Sequence, residues 1–172
     1  MYVVKSITQG FQNIGSFAGR YATIITFGNI TILTADEIME KCEDASLVVF
    51  KSIDGLDPFN FDLQPLIEGL RYANPSIDIL IETDGNHNTL KYVDEAVWIT
   101  CVPKTDKIKG ACICNEIVRY VYPERDIVKD TKAYVYLVPY GRAALSKCID
   151  FIKENPVGYQ LAVDLSEVLT LR

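Results

Sequence analysis

Thiols are the first groups to weigh for chemistry. The chain carries five: Cys42, Cys101, Cys112, Cys114 and Cys148. Only Cys112-Ile113-Cys114 is clustered in sequence. An iron–sulfur cluster with one iron left open needs three thiolates from one short loop, and C-x-C supplies two. Structural zinc needs four Cys or His ligands. The single histidine, His87, lies in a polar turn and is expected to be exposed. One histidine in a turn gives no Ser–His–Asp or Cys–His arrangement. No G-x-G-x-x-G or G-x4-G-K-[ST] loop is present to cradle a phosphate. Cys42 on a capped helix and Cys148 on an apolar helical face read as small buried hydrophobes. The expectation is no catalytic residue, no metal and no cofactor.

Composition bounds the partners. A net charge of −6 over 172 residues argues against a nucleic-acid surface, which needs basic groups to displace counterions from phosphate. Lys104, Lys107 and Lys109 lie close together but read as a solvated loop. No segment reaches the roughly 18 apolar residues of a membrane span. An odd number of cysteines without a secretory start points to a reducing compartment. The chain is expected to be one domain, 1–172, soluble and cytoplasmic. The ten tyrosines suit contact surfaces, since each pairs an apolar ring with a polar tip.

The elements that must hold any site alternate between strand and helix. Tyr2 to Ile7 and Tyr21 to Phe27 read as strands, the second covered on both faces and ending at Gly28-Asn29. Thr34-Ala35-Asp36-Glu37 is a capping box opening a helix to about Cys42. Leu47 to Phe50 is a buried strand. Asp62 is expected to cap a helix with Pro65 in its first turn and Leu63, Leu66, Ile67 and Leu70 on one face, ended by Asn74-Pro75. Strands follow at Ile77–Ile81, Ala96–Val102, Glu116–Tyr122 and Ala133–Val138, with a short helix over Asn88–Val93. Leu145, Cys148, Ile149 and Ile152 mark another helical face, before a short strand at Tyr159–Val163 and a turn of helix to Arg172. Such alternation gives a mainly parallel sheet with outer crossover helices. A closed eight-stranded barrel takes about 250 residues, so the fold class is α/β, a compact, incomplete barrel.

One stretch carries a resemblance. From Ile7 to Asn29 a strand leads into a glycine-punctuated loop, Gly10, Gly15 and Gly19, and back into a strand. Gln9-Gly10, Phe17-Ala18-Gly19-Arg20 and Gly28-Asn29 resemble the opening of the 7-carboxy-7-deazaguanine synthases, radical S-adenosylmethionine enzymes of queuosine biosynthesis. That family continues with Q-G-E-G, F-A-G-R and G-C-N, then a C-x3-C-x2-C loop for a [4Fe-4S] cluster. Here Ile30-Thr31-Ile32-Leu33 follows directly, with no cysteine. Further along, Gly55-Leu56-Asp57-Pro58 resembles the G-G-E-P that binds the amino group of S-adenosylmethionine. Ile81-Glu82-Thr83-Asp84-Gly85 resembles I-E-T-N-G, and Val102-Pro103-Lys104 lies in a V-S-P-K-like run. Asn115-Glu116-Ile117 resembles N-E-[IL]-K, and Leu137-Val138-Pro139 resembles L-Q-P. The terminal Q-x-H-K-like run falls on Asp164, Ser166 and Glu167.

The resemblance implies a radical-enzyme partial barrel with its cluster loop, cofactor motif and substrate tail altered together. The expected function is a non-catalytic pseudoenzyme kept for protein interaction or assembly, as a homo-oligomer or larger particle. Deazaguanine genes occur in phages, so a virion component is one form of that expectation. The alternative is a pterin- or deazaguanine-binding or regulatory module. Its remnant ligand pocket is expected from Gln9, Gly10, Asp57, Thr83, Lys104 and Asn115.

Overall fold

The computed structural model describes residues 1–53, 55–130 and 133–166. Its strands are β1 (Tyr2–Phe11), β2 (Tyr21–Leu33), β3 (Leu47–Ser52), β4 (Asp78–Thr83), β5 (Trp98–Cys101), β6 (Glu116–Val121), β7 (Tyr134–Pro139) and β8 (Tyr159–Leu161). They form one sheet in chain order, β1 to β8. β1 pairs antiparallel with β2, and every later pair is parallel. The helices are α1 (Ala35–Glu40), α2 (Gln64–Ala73) and α3 (Arg142–Glu154), with 3-10 turns at Pro58–Asn60 and Leu90–Glu95. The first and last strands do not pair, so the sheet curls without closing. It is an open α/β partial barrel, as the alternation of elements requires.

Both faces of the sheet are packed. The outer face of β2, β3, β4 and β5 meets α1 and α2 through Ile25, Phe27, Val48, Phe50, Ile79 and Ile81 against Ile38, Leu66, Ile67 and Leu70. Phe27 stacks on Phe61 with ring centroids 4.9 Å apart. A second outer layer joins Ile117, Val121, Val135 and Leu137 to Ala144 and Cys148 of α3. The inner face is filled by Ala22, Ile24, Leu47, Val49 and Leu80 on one side, and by Ile14, Val118 and Val138 on the other. Burying each large apolar side chain contributes about 1.5–3 kcal/mol.

Local signals explain most boundaries. Thr34 Oγ1 accepts the Glu37 N–H at 3.3 Å, and Glu37 accepts the Thr34 N–H at 2.7 Å, so the capping box forms. α1 is shorter than expected, ending at Glu40. α2 begins after Leu63, which offers no side-chain cap. Asp62 instead pairs with Lys91 at 3.0 Å and only grazes the Gln64 N–H at 3.5 Å. On α3 the buried positions are Ala144 and Cys148, while Ile149 is exposed, so the buried face is narrower than the apolar spacing implied. The expected short helix over Asn88–Val93 is a 3-10 turn.

The largest departure is β2. It does not stop at Gly28-Asn29 but runs on to Leu33, because β1 accompanies it. The register shifts at Val4, which lies opposite both Phe27 and Thr31 so that Gly28, Asn29 and Ile30 form a bulge on β2; beyond it Val3 pairs with Ile32 and Tyr2 with Leu33. Gly28 makes the close approach possible: a Cβ there would sit 3.0 Å from the Cβ of Lys5.

Candidate functional site

Strand side chains alternate between faces, and this rule places polar groups inside the barrel. Leu80 and Glu82 of β4 point inward, as do Trp98 and Thr100 of β5, and Glu116, Val118 and Tyr120 of β6. Register then aligns them: Glu82 lies beside Thr100, and Thr100 beside Glu116. Two carboxylates thus share one level of a largely apolar lumen.

The loop 12–20 enters that lumen. Gln12 is fully buried and donates from Nε2 to Glu82 Oε1 at 2.6 Å and to the Ile14 carbonyl at 3.2 Å; its Oε1 has no partner among the described residues. Glu116 accepts the Ser16 N–H at 3.0 Å, the Ser16 hydroxyl, and the Thr100 hydroxyl at 2.7 Å. Phe17 packs edge-on to Trp98, with Arg20 over its ring. From the other side Asp164 accepts from Tyr120 Oη at 2.6 Å, Asn13 Nδ2 at 2.9 Å and the Ser166 hydroxyl at 2.6 Å.

These surroundings split the carboxylates. Burial pushes the Glu82 carboxyl above its ordinary range, and Glu116 and Asp164 add to that; the Gln12 hydrogen bond and Lys51 oppose it. For Asp164 burial also works upward, but the donors Ser166, Tyr120 and Asn13 outweigh it and the net shift is down. A raised carboxyl is protonated more readily in the folded state. Its contribution to stability is therefore complete below the unfolded value and is lost as pH rises through the folded one. Glu82→Gln keeps an acceptor for Gln12 and removes the charge. It is expected to raise the melting temperature more at pH 8 than at pH 5. Equal shifts at both pH values would show that Glu82 does not carry this dependence.

Above the lumen a cavity of about 410 Å³ opens at the C-terminal ends of β4, β5 and β6. Glu82, Thr83, Asp84, Lys104, Arg119 and Tyr120 are among its walls. Strand ends of this polarity are where α/β sheets bind ligands. A mixed wall of carboxylates, hydroxyls and cations can hydrogen-bond a polar heterocycle and meet an anionic substituent.

The residues proposed from sequence divide between the two ends of the barrel. Asp57 and Thr83 come together: the Thr83 hydroxyl donates to Asp57 Oδ2 at 2.8 Å. Asp57 also accepts the N–H groups of Asp84 at 2.8 Å and Phe59 at 3.0 Å. Burial raises its carboxyl despite these donors and His87. Thr83 and Lys104 line the cavity. Gln9 and Gly10 lie far along β1, opposite Thr23 and Ala22 at the start of β2, and Gln9 is exposed. Asn115 precedes β6 and serves the sheet: its Oδ1 accepts the Ile99 N–H at 2.8 Å. Glu167 of the terminal run lies outside the described residues.

Sequence reasoning passed over Gln12, Glu82, Glu116, Tyr120 and Asp164 as site groups. The available signal was a carboxylate at the inward position of an otherwise apolar strand, present in both Ile81-Glu82-Thr83 and Asn115-Glu116-Ile117. His87 was expected to be exposed but is half-buried, with a ring nitrogen within 4.8 Å of carboxylate oxygens of Asp57 and Asp84.

A lumen entered by its own N-terminal loop, beneath a polar cavity at parallel strand ends, defines an open α/β barrel. No family model and no curated protein matches the chain. Among solved structures it resembles QueE from Escherichia coli, with a TM-score of 0.73 and 17% identity, over 95% of this chain and 93% of that one. QueE is a 7-carboxy-7-deazaguanine synthase, and the likeness is one of fold. Among the described residues no helix is long and apolar enough to cross a membrane.

Proposed function

We propose that the chain is a QueE-like scaffold that binds rather than catalyses, and that it acts by associating with copies of itself or another protein. The observation that carries this reading is the unbroken β2. Close after Gly28-Asn29, where the resemblance implies a cluster loop, Thr31, Ile32 and Leu33 are committed to ladder pairs with Val4, Val3 and Tyr2. Only Gly28, Asn29 and Ile30 fall between the Phe27 and Thr31 pairings, too few to hold a three-cysteine cluster loop, and they offer no thiolate. The same extension supplies a surface: Ile30 and Ile32, two apart in the chain, are 68% and 65% exposed. Apolar pairs at the free edge of a sheet are sites of association. The setting we propose is cytoplasmic, or a particle assembled there such as a virion, without nucleic acid or membrane as partner.

The chemistry is tested by anaerobic reconstitution with iron and sulfide, followed by reductant and S-adenosylmethionine. The expected result is no 5′-deoxyadenosine above the protein-free control; formation at the stoichiometry of the protein would overturn the reading. Association is tested by sedimentation velocity. Self-association should weaken in Ile30→Asp/Ile32→Asp, and a concentration-independent monomer would remove the self-assembly arm.

The cavity at the strand ends favours a second reading, a pterin- or deazaguanine-binding module in which Thr83, Lys104 and Glu82 meet the ligand. Calorimetry with a carboxylated pterin and a deazaguanine base decides it. Saturable heat that falls in Lys104→Ala supports binding, and no heat from either compound rejects it.

A further inference from the structure

A buried charge is normally matched by an opposite one or bound to a metal ion. Asp57, in the loop after β3, is 2% exposed. Among the described residues no lysine or arginine pairs with it, and the charged group that opposes the effect of burial on its carboxyl is His87. Its orientation is fixed by three donors, the Thr83 hydroxyl and the N–H groups of Asp84 and Phe59. A carboxylate has about four acceptor positions, so the three donors leave it able to bind one thing more.

The turn after β4 brings two more donors to the same place. Asp84 Oδ1 accepts the Asn86 N–H at 2.9 Å, and the Gly85 N–H meets Thr83 Oγ1 at 3.2 Å, with Gly85 at φ +82°. His87 follows at the end of that turn. A ring nitrogen of His87 and one oxygen each of Asp57 and Asp84 all lie within 4.8 Å of one another. Among the described residues this is the one group of three histidine, cysteine or acidic side chains that converges so closely. Yet the imidazole makes no hydrogen bond to either carboxylate. The spacing is too wide for a hydrogen bond and near the span of ligands on a shared ion. Zinc bonds of about 2.0–2.2 Å place tetrahedral ligand atoms roughly 3.3–3.5 Å apart, so shifts of under about 1 Å per side chain complete the set.

We infer that Asp57, Asp84 and His87 are the ligands of a divalent transition-metal ion, zinc being the closest fit, which ties the loop after β3 to the turn after β4. Two carboxylates and an imidazole supply the mixed oxygen and nitrogen set that zinc accepts, and the imidazole selects against magnesium and calcium. Three protein ligands leave a fourth position for water. The double charge of the ion offsets both carboxylates, the buried one included. Thr83 and the two backbone N–H groups on Asp57 then hold a ligand in its orientation, which is how metal sites keep their geometry. Asp84 and His87 are only half-buried, which gives the ion a path of entry. Asp84 also belongs to the cavity wall, so the ion stands at the edge of that cavity, whatever the cavity itself binds.

The test uses the full, tag-free chain, stripped of metal with a chelator and kept reduced. Zinc is titrated in competition with a chromophoric chelator. One equivalent should bind, at least about tenfold more weakly in Asp84→Asn and in His87→Gln, and unchanged in Cys114→Ser. Asp57 is left intact, because its carboxylate also holds the two loops together through its three donors. Magnesium in large excess should not displace the zinc. X-ray absorption on the wild-type protein at one equivalent does not depend on any variant folding. It should show nitrogen and oxygen neighbours at about 2.0–2.2 Å, an imidazole among them, and no sulfur at about 2.3 Å. No binding, sulfur bonded to the ion, displacement by magnesium, or full affinity in a folded His87→Gln would overturn the site.

Discussion

Replacing Arg119 with leucine should destabilise the protein by about 3–5 kcal/mol, the usual cost of leaving one member of a buried ion pair alone. Arg119 and Asp130 have side chains only 8% and 11% exposed. The pair is bidentate: Nε meets Oδ2 at 2.5 Å and Nη2 meets Oδ1 at 2.9 Å. The same guanidinium donates to the carbonyls of Thr105 at 3.1 Å and Asp106 at 3.2 Å. Asp130 is held in turn by Tyr159, whose hydroxyl accepts its N–H and donates to its carbonyl. One cation therefore ties β6 to the loop carrying Lys104 and the C-x-C pair, and to the segment before β7. In urea the midpoint of Arg119→Leu should fall sharply, while Arg119→Leu/Asp130→Leu should recover much of the loss, because no charge is then stranded. A single-variant loss below about 1 kcal/mol would show that water reaches the pair and screens it. The loop should also become sensitive to trypsin at Lys104, Lys107 and Lys109 in the single variant.

How far this was legible from sequence depends on the range of the interaction. The Thr34 capping box, the Asn74-Pro75 stop and the apolar runs of β3 and β4 are local signals, and they placed the elements and the parallel order. The extension of β2 was hidden because it is decided by β1: the run from Asn29 to Leu33 is half polar and mostly exposed, and only the register shift at Val4 brings a partner alongside. Arg119 and Asp130 likewise lie on elements that meet only after folding. The lumen was partly readable. Glu82 and Glu116 stood inside the motifs that carry the resemblance, but without a register nothing said that they share one level or that loop 12–20 covers them.

That loop is open to a sharper test than inspection. Gly15 has φ +72°, and a Cβ built there would lie 2.1 Å from Glu116 Oε1 and 3.0 Å from its Cδ. Alanine at such a φ costs roughly 1–2 kcal/mol by itself. The second cost depends on Glu116, whose carboxylate is fixed by Thr100 and by two donors of Ser16. Pushing it aside strands hydrogen bonds to a charged group, at roughly 1.5–3 kcal/mol each. Gly15→Ala should therefore cost about 3 kcal/mol or more in urea. The lone tryptophan reports where the damage falls. Trp98 packs on Phe17, two residues past Gly15, with ring centroids 5.6 Å apart, so its emission should shift to the red as the loop lifts and admits water. In the Glu116→Ala background the same substitution should cost only the backbone part, about 1–2 kcal/mol, and the difference is the coupling between loop and strand. Equal costs in the two backgrounds would mean that Gly15 is required for its turn alone. The loop would then close the lumen through Gln12 and Ile14, without the Glu116 carboxylate.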